Sequence, residues 1–279
     1  MKVSVIIPSF NEEQNIVECI TSLGQQTKPH ELIIVDDCST DDTVATLKRL
    51  HFLNSKLVLL QQNHLGPGAA RNMGAKQSTG EILVFVDADM SFAPDFLEEL
   101  VGPIEDARTK GTFTRIEYVK NWDNVWARCW NYNQGIRINI RIPQNYPNTS
   151  PVFRAILKSE FIRVGGFEHH AGWTDDWSLS QKLNYKATET PAVCFHINPK
   201  TLIEVFIQAR WVGKNTFMSR NILTIFMSLI KFSFPVSFSV GICKAIIYRQ
   251  PKFLFFKLIH DLGIYLGLTS ALSGGHRNK

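Results

Sequence analysis

Short apolar runs alternate along the first ninety or so positions with stretches whose apolar residues recur at three- and four-residue steps. Val3-Ser4-Val5-Ile6-Ile7, Leu32-Ile33-Ile34-Val35, Leu57-Val58-Leu59-Leu60 and Ile82-Leu83-Val84-Phe85-Val86 are β-branched or aromatic-rich and too short for helices, so each reads as a buried strand. Between them, Ile16, Ile20 and Leu23, then Val44 and Leu47, then the stretch around Arg71, Asn72 and Gly74, carry helical spacing. A further helix is predicted around Phe92 to Leu100. Strand and helix in strict alternation imply an α/β fold with a mostly parallel, doubly wound sheet and right-handed crossovers.

The strands end in a consistent way. The first runs into Pro8-Ser9-Phe10-Asn11-Glu12, the second into Asp36-Asp37, and the fourth into Asp87-Ala88-Asp89. Ligands in open α/β sheets bind beyond the carboxyl ends of the strands, which is where these polar and acidic residues fall. Asp87 and Asp89 can share a divalent cation that holds a diphosphate, or they can terminate the strand and cap the helix that follows. Asp36 and Asp37 have the same capping alternative, with Ser39 or Thr40 capping the helix that carries Val44. Gly66-Pro67-Gly68 opens a helix and can offer backbone N–H groups to a phosphate or be only a turn.

Composition sharpens the picture. At 279 residues and 44% hydrophobic, the chain can bury one large domain and an appendage. Met1-Lys2 leads straight into the first strand, so no signal peptide is expected. The five cysteines are scattered without metal-ligand spacing, which suits reduced thiols in a cytosolic setting and an unmodified sequon at Asn148. The net charge of +5 is unevenly held: residues 1–199 have 19 Lys and Arg against 23 Asp and Glu, whereas residues 200–279 have 11 against 2. Because this basic tail is also the most apolar part of the chain, its expected partner is an anionic membrane surface and not nucleic acid.

Periodicity weakens from Gly102 to Pro151. Trp122, Trp126, Trp130 and Tyr132 fit one helix face, with Arg128, Arg137 and Arg141 nearby. Such a face can stack on sugar rings or belong to a core. Val152 to Leu157 reads as a strand. A Gly165-Gly166-Phe167 turn then precedes Trp173 and the acidic pair Asp175-Asp176 at a helix start. His196 closes an apolar strand, and Gln208-Ala209-Arg210-Trp211 with Lys214 follows. Two apolar stretches, Ile222 to Tyr248 and Phe253 to Leu272, are interrupted by Lys231, Pro235, Lys244, Lys257 and Asp261. A membrane-buried hairpin, an interfacial pair and a soluble bundle all stay open, with the cations Arg220, Arg249 and Lys252 favouring membrane contact.

Taken in order, Ser4-Val5-Ile6-Ile7-Pro8-Ser9-Phe10-Asn11-Glu12, Ile34-Val35-Asp36-Asp37-Cys38-Ser39-Thr40-Asp41, Gly68-Ala69-Ala70-Arg71-Asn72 and Asp87-Ala88-Asp89 resemble the signature of family 2 glycosyltransferases of the GT-A fold. The resemblance spans about residues 1–200 and implies a Rossmann-like catalytic domain there, with a nucleotide-sugar half near 1–100 and an acceptor half near 101–200. Residues 201–279 form a helical, membrane-associated appendage. By the same resemblance Pro8, Phe10 and Glu12 line the nucleotide pocket, Asp37 accepts a hydrogen bond from the base ring, and Arg71 sits near the base or phosphates. Asp89, with Asp87 behind it and His196 as a further ligand, holds Mg²⁺ or Mn²⁺. Asp176 takes the place of the catalytic base, and Asp175, Trp173, Arg210, Trp211 and Lys214 contact the acceptor or phosphates.

The function implied is inverting transfer of a sugar from a nucleotide diphosphate, UDP-linked in preference to GDP-linked, to a hydroxyl of a glycan or lipid-linked glycan. The setting implied is polysaccharide or glycolipid biosynthesis at the cytoplasmic face of the membrane. The alternatives are a polyprenyl-phosphate sugar synthase, whose anionic acceptor needs no strong base, and a silent membrane-bound scaffold of the same fold.

Overall fold

A computed structural model describes residues 1–53, 57–168, 175–216 and 222–272. The described chain forms two compact units, one of residues 1–118 with 142–196 and one of residues 119–141 with 197–279. The sequence places 119–141 with the acceptor half of the first domain. In the structure this segment groups instead with the C-terminal helices.

The first unit is built on strands β1 (Val3–Ser9), β2 (His30–Asp36), β3 (Leu57–Gln61) and β4 (Ile82–Phe85), parallel in the order β3-β2-β1-β4. Successive side chains of a strand point to opposite faces, and the two cores follow that rule. Val3, Val5, Ile7, Leu32, Ile34, Ile82 and Val84 pack with Ile16 and Leu23 of α1 (Ile16–Gly24) and Leu97 and Leu100 of α4 (Phe96–Glu105). Ile6, Ile33, Val35, Leu83 and Phe85 pack on the other side with Ala70 of α3 (Pro67–Gln77), Phe161 of α6 (Lys158–Arg163) and Leu179 and Leu183 of α7 (Asp175–Leu183). Gly74 lets α3 settle on β1: a Cβ there would lie 2.5 Å from Ile6 Cγ2. Helix α2 (Thr43–Leu53) adds Leu47 to the first core.

Beyond β4 the sheet turns antiparallel. β8 (Ala155–Leu157) pairs with β4, β6 (Gly111–Val119) pairs with β8, and β5 (Met90–Phe92) and β7 (Thr149–Ser150) both pair with β9 (Ala187–His196). The Met90↔His196 pairing of β5 with β9 sets His196 beside the residue that follows Asp89. The helix expected from Phe92 starts at Phe96, because Met90–Phe92 is taken into the sheet.

The second unit comprises α5 (Val125–Asn133), α8 (Leu202–Thr216), α9 (Ile222–Lys231), α10 (Phe234–Ile247) and α11 (Phe253–Leu272). Helices α8 and α11 touch backbone to backbone. A Cβ on Gly267 would lie 2.2 Å from the Arg210 carbonyl oxygen, and one on Gly213 would lie 2.4 Å from that of Ile264.

Candidate active site

Asp87 and Asp89 follow β4, and the structure gives them different surroundings. Asp87 accepts from two arginines, Arg71 Nη2 at 2.8 Å through Oδ1 and Arg154 Nη1 at 3.1 Å through Oδ2. Burial pushes its carboxyl up, but Arg154 and Arg71 outweigh it and hold the group well below the usual carboxylate range. Asp87 therefore stays ionised and gathers the two arginines from its place behind Asp89. Two guanidinium groups are thus held beside the strand end by one carboxylate.

Asp89 faces His196. The Nε2 atom lies 3.1 Å from both Asp89 oxygens, while Nδ1 lies 2.8 Å from Glu117 Oε1. Arg154 Nη2 stands 3.9 Å from the other Glu117 oxygen. The imidazole is thus held between two carboxylates. Glu117 fixes the proton on Nδ1 and leaves Nε2 aimed at Asp89, which is the outer-shell arrangement that orients a ligating histidine. Asp89 and His196 thus fit a divalent cation, with room in its coordination for phosphate oxygens, and Mn²⁺ accepts such a mixed oxygen and nitrogen set. Among the described residues no group of three His, Cys, Asp or Glu forms a metal cluster.

The nucleotide side is organised by loop-to-loop bonds. Asn11 adopts φ 56° and its Oδ1 accepts from Thr40 N at 2.8 Å, and Glu12 N donates to Thr43 Oγ1 at 2.8 Å. These bonds fasten the loop after β1 to the loop after β2. Pro8 pairs with Val35 inside the sheet, and Glu12 holds Asn15 Nδ2 at 2.8 Å. Phe10 stacks on His64 with ring centroids 4.3 Å apart.

The Oδ1 atom of Asp37 accepts from Gln62 Nε2 at 2.7 Å and Leu65 N at 2.8 Å, and its Oδ2 from Gly66 N at 2.9 Å, with His64 Nδ1 at 3.2 Å. Three N–H donors thus meet this carboxylate, and Asp37 shapes the loop before α3. Of the two readings of the Gly66-Pro67-Gly68 stretch, the structure has the Gly66 N–H donating within the protein, to the same carboxylate.

Asn72, beside Arg71 on α3, clasps the glycine turn. Its Nδ2 donates to the Phe167 carbonyl and its Oδ1 accepts from Phe167 N, each at 2.9 Å. Gly165 and Gly166 have φ of +74° and +70°, which side chains rarely adopt. Lys182 Nζ donates to the Gly166 carbonyl at 2.9 Å, and Glu168 N donates to Ser178 Oγ at 3.2 Å. Helix α7 is thereby tied to α3, and its first turn carries Asp175 and Asp176. Their side chains, and Trp173 as a whole, lie outside the described residues.

Arg210, Trp211 and Lys214 lie on α8 in the second unit. Burial and the neighbouring Arg210 push the Lys214 ammonium below its ordinary value. The aromatic stripe of α5 is core: Trp130 meets Phe256 and His260 edge-on, and Tyr132 stacks on Tyr248 at 4.5 Å. Its arginines have structural partners as well, Arg128 in the Trp122 carbonyl and Arg141 in Asn198 Oδ1.

Sequence reasoning missed Arg154 and Glu117. Both stand in the antiparallel part of the molecule, where periodicity is weak. The available signals were a charged residue inside the apolar run Val152 to Leu157 and an acid within Thr114-Arg115-Ile116-Glu117-Tyr118.

The fold, the ordered strand-end motifs and the acid pair converge on one class. Residues 4–165 match the model for glycosyl transferase family 2, and the chain belongs to that family. The chain is 39% identical over 110 residues to the poly(ribitol-phosphate) beta-N-acetylglucosaminyltransferase TarS of Staphylococcus aureus, a match covering 38% of this chain and 19% of TarS. It is 28% identical over 173 residues to the glycosyltransferase AglE of Haloferax volcanii, covering 60% of this chain and 56% of AglE. The chain thus spans about a fifth of TarS and about half of AglE. The same fold occurs in the mannosyltransferase PcManGT of Pyrobaculum calidifontis in complex with GDP-Man and Mn²⁺, with TM-score 0.62, 20% identity, and coverage of 94% of this chain and 86% of that one. It occurs also in TarS residues 1–349 in complex with UDP-GlcNAc, with TM-score 0.57, 18% identity, and coverage of 99% and 93%.

Proposed function

We propose that the protein is an inverting glycosyltransferase that moves a sugar from a UDP-linked donor to a hydroxyl of a glycan or lipid-linked glycan. The observation that carries this reading is the chain Arg71–Asp87–Arg154–Glu117–His196–Asp89, which sets two guanidinium groups and a half-built cation site at the end of β4. That combination suits a diphosphate. Asp89 and His196 would hold Mg²⁺ or Mn²⁺, which when bound neutralises charge that develops on a departing diphosphate.

The chain's own residues do the rest. Arg71 and Arg154, gathered by Asp87, orient the phosphates; Pro8, Phe10 and the Asn11–Thr40 junction bound the nucleotide. Asp176 takes the proton of the acceptor hydroxyl as its oxygen bonds to the anomeric carbon. The bond from that carbon to phosphate oxygen breaks in the same displacement, inverting the centre. The Asn72 clasp and the Lys182 bond to Gly166 fix the helix on which Asp176 stands. Arg210 and Lys214, one turn apart on α8, suit an anionic part of the acceptor.

The test is thermal stabilisation by UDP and by GDP, each with and without Mn²⁺, in the wild type and in Asp89→Asn. A nucleotide at 100 times its dissociation constant adds about 2.7 kcal/mol, read as a higher melting temperature. Stabilisation by UDP with Mn²⁺ that disappears in Asp89→Asn is expected, and no shift with either nucleotide sinks the reading. Asp176→Asn should keep the shift and lose transfer. If Asp176→Asn instead transfers sugar to a lipid phosphate at the wild-type rate, the acceptor is the phosphate and no base is needed.

A further inference from the structure

The three C-terminal helices turn a large apolar face outward and bury ionic and polar groups beside their apolar core. On α10 the outward residues are Phe234, Phe238, Ile242, Ile246 and Ile247, whereas Ser237 and Gly241 face inward. Helix α11 exposes Phe255, Leu262 and Leu266 and buries Lys257 and Asp261 beside Phe253, Phe256, Ile264 and Leu268. Helix α9 exposes Phe226, Met227 and Ile230 and buries Ser228. The contrast is steep: Ile246 is 72% and Phe234 69% exposed, against 1% for Asp261 and 2% for Ser237.

The buried polar groups satisfy one another. Asp261 accepts from Lys257 Nζ at 2.9 Å, His260 Nδ1 at 2.8 Å and Ser237 Oγ at 2.7 Å. Lys244 Nζ donates to the Asn133 carbonyl at 2.8 Å. A helix in water keeps apolar side chains in and ionic ones out. In hydrocarbon the order reverses, and ionisable residues pair inside the bundle. The backbone-close packing of α11 on α8 at Gly263 and Gly267 is also the mode used where lipid supplies no hydrophobic drive between helices.

Charge names the lipid. Of the two acids in residues 200–279, only Asp261 falls on these helices, and it is buried. The exposed charges from Thr224 to Leu272 are therefore all positive: Lys231, Arg249 and Lys252. Arg249 and Lys252 sit in the turn between α10 and α11, beside exposed Arg137 over the Tyr248 ring at 5.2 Å and the Tyr132–Tyr248 stack. Aromatic rings with cations at one end of a helix pair mark the headgroup level of a bilayer. A second copy of the chain would bring like charge to the same face.

We propose that residues 224–272 insert into an anionic membrane, with the Phe and Ile faces of α9, α10 and α11 in hydrocarbon and Arg249 and Lys252 among the headgroups. This does not depend on sugar transfer, and its test uses neither nucleotide nor metal. The full chain is floated with vesicles of phosphatidylcholine and phosphatidylglycerol, then washed with high salt and alkaline carbonate. The wild type should stay with the vesicles. The double variant Phe238→Glu with Ile246→Glu should lower the retained fraction at least about tenfold, since a charge in hydrocarbon is strongly disfavoured. Ile162→Glu, at an equally exposed apolar residue of α6, should float like the wild type.

A photoreactive group on the acyl chains should label peptides from 224–272 and spare those from 1–118, a measurement that needs no variant. Release of the wild type by salt alone would show adsorption without insertion and overturn the proposal. So would label confined to residues 1–118, or a discrete detergent-free dimer whose α10 face is protected from labelling.

Discussion

Helix α4 of the first unit and helix α10 of the second are both apolar on one side, yet they put that side in opposite places. Helix α4 buries Phe96, Leu97, Leu100, Val101 and Ile104 and leaves Glu98 and Glu99 outside. Helix α10 turns Phe234, Phe238, Ile242 and Ile246 outward and keeps Ser237 and Gly241 within. Both units bury Phe, Ile and Leu, but only the second also turns a row of them outward on one helix while burying ionic groups. If the second unit meets lipid as proposed above, the medium accounts for that difference.

Substitutions can test that contrast. The largest effect is expected from Lys257→Met, which strands Asp261 without its cation inside the second unit. Breaking one side of a buried pair costs about 3–5 kcal/mol, and adding Asp261→Leu should restore most of it. A double-mutant cycle by denaturant unfolding of the full chain in lipid or detergent gives the coupling; additive losses would mean that the pair is not a unit. Next comes one substitution at two places. Ile34→Ala, at a fully buried position of β2, should cost about 2–5 kcal/mol. Ile246→Ala should stay within about 0.5 kcal/mol in detergent-free buffer. Equal losses at both sites would erase the difference between the units.

A smaller effect, about 1–3 kcal/mol, is expected from Arg154→Met, which removes one of the two charged donors on Asp87. It also carries a pH signature. The folded carboxyl of Asp87 titrates well below its unfolded value near 3.9. Its contribution is therefore complete above that value and lost as pH falls towards the folded one. Arg154→Met should flatten the acid limb of the stability curve while leaving the slope above about pH 5 unchanged. An unaltered acid limb would mean that Arg71 alone holds the carboxylate.

Much of the parallel half was legible because each strand is apolar on both faces and stops at an acid. Leu83 and Phe85 go to one core and Ile82 and Val84 to the other, as a period of two demands. The place of Asp89 after β4 could be read from the sequence and His196 was expected through family likeness, but that their side chains meet shows only in three dimensions. Their partners were not legible. Glu117 and Arg154 lie on or beside antiparallel strands formed by residues far apart in sequence, and spacing along the chain cannot report a contact between residues 79 positions apart, as Glu117 and His196 are. Asp37 was legible as a strand-end acid, but its work on the loop at 62–66 shows only in three dimensions. The C-terminal helices are the opposite case: Lys257 and Asp261 look like interruptions of an apolar run until their mutual pairing is seen.

The side-chain amide of Asn72 meets the peptide of Phe167 as a neighbouring strand would, giving one hydrogen bond and taking another. Aspartate can take but not give, and glutamine overshoots by a methylene, so the site tolerates no near substitute. With Arg71 next to it on the same helix, this single position acts as a gauge block: it fixes how far the arginine that meets Asp87 stands from the turn that feeds α7. A change at Asn72 would leave every reacting group chemically intact and set them at the wrong distance.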